Sequence, residues 1–503
     1  MGVINSVVRW LLLDRLGQIE TFQKYPHDAQ NRVLKNLLST ASTTEWGKRY
    51  GFSRINSYED FAKTHPLHDY NSLKPEIERT MSGEQNILWP SPIHWFAKSS
   101  GTTQDKSKFI PVSKESLEDC HFKAGKDLYA LYYHSNPNGA IGDGRTLVLG
   151  GSSQVHRFNS GCFYGDLSAV LMQNLPFWVE ARRVPELSIA LMDNWEEKIE
   201  KMARSTIDQN ITNIVGVPTW TVLLIRRLFE LSGKDNLADL WPNIELYVHG
   251  GVSFEPYREL FRQLIRSDKM HYLETYNASE GFFGIQDSIN ITDMLLMLDY
   301  GIFYEFIPSE EMGKPNPEVI PLEEVKEGRN YAMVISTNGG LWRYQIGDTV
   351  KFTSVNPYRI KVSGRTRHYI NAFGEEVIVE NAEKAIAEAC RLTHAAVSDF
   401  TAAPVYFSEK GNGAHEWLIE FEKEPDNFEI FVSKLDESLK TINSDYEAKR
   451  FKDMALRKPI VRKLPSGTFY SWLKHHGKLG GQNKVPRLSN SREIVEEVLK
   501  LSN

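Results

Sequence analysis

Cysteine is scarce: 503 residues hold three, Cys120, Cys162 and Cys390, widely spaced and with no C-x-x-C pair. That excludes a disulfide framework and a zinc ribbon, and it points to a reducing compartment, the cytoplasm. Long apolar runs are missing too. The most apolar segment near the start, VVRWLLLDRL, is broken by Arg9, Asp14 and Arg15, short of the ~18 uninterrupted apolar residues of a membrane helix. The chain therefore reads as neither threaded through a membrane nor secreted. Gly2 to Ser6 fits a short myristoylation pattern, but the residues that follow read as a helix docking on the body. There is no surplus of positive charge: Lys and Arg number 59 against 65 Asp and Glu, a net charge of −6 with a pI near 6.2. The electrostatic basis for binding nucleic acid is thereby absent. Internal repeats, low-complexity tracts and a Walker A loop do not occur either.

What remains is an ordinary globular composition, 41% hydrophobic, 11% aromatic and 25% charged. At roughly 100–200 residues per domain, the length suits two or three domains, or one large domain carrying a small one. Over the first 50 residues, apolar side chains recur at helical spacing (Val7, Trp10, Leu11; Ile19, Phe22; Val33, Leu34, Leu37, Leu38), which describes a helical scaffold. From about 140 to 300, β-rich runs alternate with helical patterns: TLVLGG, LSIALMDNWEEKIEKMARS, ITNIVGVP, TWTVLLIRRLFELSG, IELYVHGG, PYRELFRQLI, HYLETY. This is the sequence form of an α/β sheet with crossover helices, whose sites gather at the strand ends. From about 300 to 365 the runs become strand-only and predict an antiparallel β subdomain attached to that sheet. The remainder reads as a small α+β domain: a helix (VENAEKAIAEAC), strands at AVSDFTAA, PVYFSE and HEWLIEFE, a charged helix (FEIFVSKLDESLKTI) and a Gly-rich tail.

Four segments carry chemistry. KSSGTTQDKSKFIP, 98–111, is a run of hydroxylated residues with one Gly and several lysines; backbone N–H groups, hydroxyls and Lys together cradle phosphate. YNASEG places Glu280 after a strand, where a carboxylate can meet Mg²⁺ beside phosphate oxygens, and Tyr276 where a ring can stack on a base. In LWRYQIGDTVKF, Gly347 turns the chain and Asp348 can accept hydrogen bonds from a diol. GKLGGQNKVPR is a glycine-rich loop that ends in Lys484 and Arg487. Taken singly, each also suits an ordinary loop or turn.

Together, in this order and spacing, they resemble one family: the Gretchen Hagen auxin-responsive acyl acid amido synthetases, within the ANL adenylate-forming superfamily. The matching motifs are S-S-G-T-T-x-x-x-x-K-x-I-P at 99–111, Y-x-A-S-E-G at 276–281 and Tyr-x-x-Gly-Asp at 344–348, with TEWGKRYGF at 44–52 and KVPR at 484–487 extending the likeness over nearly the whole chain. The resemblance implies a large α/β N-terminal adenylate-forming domain with a β subdomain over 1–363, a hinge at 364–371 and a smaller mobile α+β domain over 372–503. It implies ATP and Mg²⁺ as cofactors, and a carboxylic acid and an amino acid as substrates. An acyl-adenylate forms first, and an amine then displaces AMP.

Residue by residue, the resemblance assigns the ATP phosphates to Ser99, Ser100, Thr102, Thr103 and Lys108, with Thr102 also catalytic. Tyr276 and Ser279 belong to the nucleotide pocket, Asp348 to the ribose, Arg365 to the nucleotide at the hinge, and Glu280 to Mg²⁺. Lys484 stabilises charge on the α-phosphate. Tyr129, Val217, Trp220, His249, Gly250 and Gly251 surround the acid. Two positions depart from the family pattern: Gln345 stands where Arg is frequent, leaving Arg343 as the only neighbouring Arg, and Asp105 replaces a Gly in the phosphate loop. An acyl-CoA ligase with the same first half-reaction, or a non-catalytic nucleotide or acyl-ligand binder, fits the same residues less completely. Neither the acid, the acceptor nor the oligomeric state is written in these motifs.

Overall fold

A computed structural model describes residues 15–100, 107–150, 155–158, 161–192, 194–365, 369–407, 411–476 and 485–502. Among the described residues, no helix is long and apolar enough to cross a membrane.

The N-terminal scaffold is helical, as its periodicity predicts. On the helix Pro26–Ala41, Leu34, Leu37, Leu38 and Ala41 form the buried stripe. Gln30 lies in the same stripe, and its polar atoms are spent on the sheet beneath. Its amide donates to the carbonyls of Leu298 and Ile302 at 3.0 Å, and its oxygen accepts from the N–H of Tyr304 at 2.8 Å. A buried amide with every partner supplied fixes where the helix docks.

That sheet has twelve strands among the described residues. Across it they run Ile320–Pro321, Ile302–Pro308, Asn330–Thr337, Tyr344–Val355, Tyr358–Arg365, Met294–Leu296, Gly281–Ile285, His271–Ala278, Leu246–Gly250, Ile211–Gly216, Arg145–Leu149 and Arg183–Val184. From His271–Ala278 to Arg183–Val184 the neighbours are parallel; in the other direction all are antiparallel. The strand-only stretch is therefore continuous with the α/β sheet, not a subdomain set beside it, because His271–Ala278 pairs on both edges.

The parallel strands are buried on two faces, so they read as nearly unbroken apolar runs. In Leu246–Gly250, Leu246 and Val248 pack toward the helix Lys123–Ser135, and Tyr247 packs toward the helices Trp195–Thr206 and Pro218–Ser232. The second of these two cores runs on through Phe373, Ala385, Phe400, Trp417 and Phe431. The C-terminal part thus sits on the crossover helices through continuous apolar contact.

A smaller sheet, in the order Ser107–Val112, Trp95–Ser100, Phe163–Asp166, His156–Arg157, carries the phosphate-loop hairpin. The C-terminal part has the strands Ala396–Val405, Ala414–Lys423 and Ile460–Leu464, with helices at Val379–Thr393 and Phe428–Ile442 where their patterns predict them. Two readings there are corrected. PVYFSE is not a separate strand, since Pro404 and Val405 continue the preceding one. The stretch read as a tail contains Ile460–Leu464 and the helices Thr468–His475 and Glu493–Ser502, whose apolar residues Leu464, Phe469, Trp472, Val495 and Val498 cover the outer face of the small sheet.

Candidate active site

The three parallel strands Ile211–Gly216, Leu246–Gly250 and His271–Ala278 end side by side, the place where open α/β sheets bind ligands. Val217 follows the first strand and opens the helix Pro218–Ser232. Gly250 pairs with Thr275, and a Cβ at Gly250 would meet the Thr275 carbonyl oxygen at 2.5 Å. Gly251 takes φ 80°, and a Cβ there would lie 3.8 Å from Val217 Cγ2. Small residues at the strand ends thus leave backbone facing a ligand at close range. Replacing Gly250 with Ala is expected to cost about 1–3 kcal/mol through the forced shift of strand His271–Ala278. Gly125→Ala, in open space on a helix, is expected to stabilise by about 0.4–1 kcal/mol. Thermal midpoints of the two variants check both.

Tyr276, next along the third strand, donates its hydroxyl proton to Asp348 Oδ2 at 2.7 Å. The two residues come from different parts of the sheet, and a bulge brings them together. Ala332 faces Thr349 and Val334 faces Gln345, so Ile346, Gly347 and Asp348 stand opposite Met333 alone. Gly347 at φ 89° makes this possible. The segment read as a hairpin turn at Gly347 is instead the interior of one strand, Tyr344–Val355. Asp348 faces Arg365 in register, next to Gly364, whose φ of 148° suits only glycine. Ser279 and Glu280 form the turn that joins His271–Ala278 to Gly281–Ile285, with Ala278 opposite Gly281.

The phosphate-loop hairpin belongs to the smaller sheet. Ser99 pairs with Lys108 across its two strands, which puts both at the mouth of the loop. Thr102 and Thr103, and the departure Asp105, lie outside the described residues, as does Lys484; of Ser100 and Arg365 only the backbone is described. The hairpin is fixed to the turn that follows strand Asn330–Thr337 and leads toward the strand bearing Asp348: the Ser113 hydroxyl donates to the Asn338 carbonyl at 2.7 Å.

Three residues assigned to the acid are placed for packing. Tyr129 accepts a hydrogen bond from the Asn213 amide at 2.8 Å, in mid-sheet and away from the strand ends. Trp220 stacks on Trp195 at 3.5 Å and 6°, and the Lys449 ammonium covers its other side at 4.5 Å, so neither ring face is open. His249 is buried against Phe254 at 3.9 Å, and burial pushes its pKa down to about 3. A neutral imidazole offers no positive charge to a carboxylate. Tyr132, on the same helix as Tyr129, donates its hydroxyl to Glu245 at 2.9 Å. Arg343, the Arg nearest the Asp348 motif, is buried and committed to Glu305.

Sequence reasoning missed a group of charges above the strand ends: Lys98, Asp166, Glu375, His415, Asp445 and Lys449. Glu375 accepts from the N–H of Phe373 and pairs with His415 Nε2, both at 2.7 Å, with neither side chain exposed. Nothing in the pattern SDYEAKR distinguishes Asp445 and Lys449 from the polar face of any short helix.

Among the described residues, no group of three or more His, Cys, Asp or Glu could by itself hold a metal ion. A Mg²⁺ bound here would take a single carboxylate such as Glu280 together with substrate phosphates, which is how this ion is ordinarily held. A surface hollow lined by Asn194, Glu197, Ile199, Arg227 and Met454 contains none of the predicted site residues.

Three family models match in chain order: the GH3 family N-terminal domain over 15–270, the GH3 family central domain over 295–365 and the GH3 family C-terminal domain over 380–493. Among curated proteins, the chain is 23% identical to an indole-3-acetic acid-amido synthetase, GH3.3, of Arabidopsis thaliana, covering 95% of this chain and 92% of the relative. It is 26% identical to a jasmonoyl-L-amino acid synthetase of Oryza sativa subsp. japonica, with 96% of each covered. Among solved structures, an acyl acid amido synthetase, AtGH3.15 in complex with 2,4-DB, superposes with a TM-score of 0.63 at 17% identity, over 97% of this chain and 95% of that one.

Proposed function

The chain belongs to the GH3 family, and from that premise we propose that it couples a small carboxylic acid to an amino acid at the expense of ATP. The acid attacks the α-phosphate, pyrophosphate leaves, and the amine then displaces AMP from the acyl-adenylate. The observation that carries this reading is the convergence of Tyr276 and Asp348, bonded at 2.7 Å, on the strand ends that also hold Val217, Gly250 and Gly251.

On this reading Asp348 takes the ribose hydroxyls, Tyr276 and Ser279 line the base, and Arg365 stands beside Asp348. The hairpin supplies Ser99, Ser100, Thr102, Thr103 and Lys108 to the phosphates. Mg²⁺ at Glu280, when bound, neutralises phosphate charge. Val217, Gly250 and Gly251 face the acid, while Tyr129, Trp220 and His249 act through packing. Carboxylate attack on phosphorus needs positioning and charge stabilisation more than a base, which is what these residue types provide. The segment 364–371 serves as the hinge between 1–363 and 372–503. The partners are small molecules, and the compartment is the cytosol, where three cysteines outside any disulfide stay reduced.

ATP–pyrophosphate exchange against pools of benzoates, aryl acetates, fatty acids and dicarboxylates, followed by addition of amino acids or CoA, tests the reading. Acid-dependent exchange with product formed only from amino acids is expected; thioester formation instead would assign the chain to acyl-CoA ligation. Asp348→Ala is expected to raise the KM for ATP about 10–100-fold, the loss of hydrogen bonds to a charged acceptor. Unchanged ATP affinity by calorimetry would remove Asp348 from the ribose site.

A further inference from the structure

Charges that the adenylation reading does not use stand together where Lys98, of the phosphate-loop hairpin, comes near the C-terminal part. The helix Ser444–Arg450 presents Asp445 and Lys449 one turn apart on one face. Lys449 is only 9% exposed, its ammonium 4.5 Å from the centre of the Trp220 ring and packed against Gly374. Among the described residues, no carboxylate stands within ion-pair distance of it. Asp445 likewise has no hydrogen-bond or ion-pair partner among them, although Asp166, Glu375, Lys98 and Lys449 are all near enough to act on its charge. Lys98 and Asp166 are register neighbours on parallel strands, and Lys98 immediately precedes Ser99. Glu375 is already satisfied by His415 and backbone N–H groups.

A buried ammonium without a bonded partner is costly, and the half-buried Asp445 beside Lys449 has none among the described residues either; a ligand that bonds to both would complete them. A polyanion such as pyrophosphate would meet Asp445 unfavourably, and a neutral base would leave both Asp445 and Lys449 unsatisfied. A ligand with a positive and a negative group a few atoms apart satisfies both signs, and an α-amino acid zwitterion has that form.

We infer that these charges form the acceptor subsite, where Asp445 receives the α-ammonium group and takes a proton from it while Lys449 and Lys98 hold the α-carboxylate. The inference rests on the acid–amino acid ligase reading above. In the transfer step Asp445 accepts one proton from the ammonium, and the freed lone pair forms the C–N bond at the acyl carbon. The C–O bond to AMP then breaks, AMP departs with that electron pair, and the second nitrogen proton passes to solvent. Trp220 serves as the platform that positions Lys449.

Burial and Asp166 hold the Asp445 carboxyl up, to about 6, against Lys449 and Lys98, which pull it down. Transfer is therefore expected to fall as the pH drops through about 6, where Asp445 becomes protonated and can no longer accept.

The test uses the full chain and follows single-turnover transfer from enzyme-formed acyl-adenylate. Two nucleophiles are compared: the amino acid, which arrives as an ammonium ion, and hydroxylamine, which is already neutral near pH 7. Asp445→Asn is expected to slow amide formation about 100-fold while hydroxamate formation and ATP–pyrophosphate exchange stay within about twofold, and Asp445→Glu restores part of the loss. Lys449→Met is expected to raise the KM for the amino acid but not for the corresponding amine without a carboxylate. Equal loss with both nucleophiles, or none with either, overturns the assignment. So does a wild-type protein that adenylates an acid yet accepts no amino acid, an outcome that leaves the adenylation reading standing. Absence of exchange with every acid would defeat the ligase reading itself.

Discussion

Replacing Lys484 with Ala is expected to lower acid-dependent ATP–pyrophosphate exchange by about 10²–10³-fold, the scale of one lost charge-stabilising donor, while transfer from a supplied acyl-adenylate stays near the wild-type rate. The residues that follow Lys484 are tied to the edge of the C-terminal sheet. Val485 is buried against Ala403 and Leu418. The Pro486 carbonyl accepts from the Thr401 hydroxyl at 2.7 Å, Arg487 pairs with Asp399, and Leu488 bridges to Ala402. The residues just after Lys484 thus belong to the C-terminal part. Among the described residues, every hydrogen bond, ion pair and ring contact of Val485–Arg487 lies within that part; none reaches Tyr276 or Asp348. On the proposed reading, Lys484 reaches the α-phosphate by rotation about 364–371, and the two half-reactions depend on different faces of the C-terminal part. Equal losses in exchange and transfer would contradict this separation.

The second large effect is on stability. Arg343→Met is expected to destabilise the fold by about 3–5 kcal/mol, the cost of leaving a buried charge without its partner. Glu305 has no exposed surface and Arg343 almost none. The guanidinium donates to both Glu305 oxygens at 2.8–3.1 Å and to the carbonyls of Ala62 and His65 at 2.9 and 2.7 Å. Tyr58 donates to the same carboxylate at 3.1 Å. Arg343 thus fastens the helix Tyr58–Thr64 to strand Ile302–Pro308, and it takes positive φ, 41°, to do so.

Burial already raises the Glu305 pKa against the pull of Arg343; without Arg343 it rises further. A carboxyl whose native pKa exceeds its unfolded value binds more protons when folded, so stability falls as pH rises through the interval between the two. The deficit of Arg343→Met is expected to shrink toward pH 4.3, about the unfolded value for Glu, and to be complete above the raised native value. The double variant Arg343→Met with Glu305→Leu is expected to recover much of the loss, because it removes the stranded charge. Thermal midpoints of the single and double variants across pH 4–8 check this. A single variant as stable as the wild type would show that the pair is not buried in solution.

The candidate site was read from the sequence as a set of local motifs. Ser279 and Glu280 make a turn between strands, and any turn of that kind leaves its mark within six residues. Val217, Gly250 and Gly251 were legible as strand ends, because Gly and Pro stop parallel strands. Tyr129 and Trp220 were misread, since an aromatic at helical spacing looks the same whether it lines a recess or stacks on another ring. Gly347 was misread as a turn because positive φ serves a bulge as readily as a hairpin. Which one forms depends on whether a partner strand, here Asn330–Thr337, continues on both sides.

By itself the sequence determined the α/β class, the alternation that buries parallel strands, the helical scaffold and the chemistry of the nucleotide motifs. Each of these depends on side-chain period, backbone freedom or functional groups that neighbours along the chain express. Only the tertiary structure decided that the antiparallel strands extend the parallel sheet, that Arg343 is buried on Glu305, and that Asp445 and Lys449 come near Lys98. Those outcomes rest on partners that the fold brings together, some of them hundreds of residues apart, whose distances no local pattern encodes.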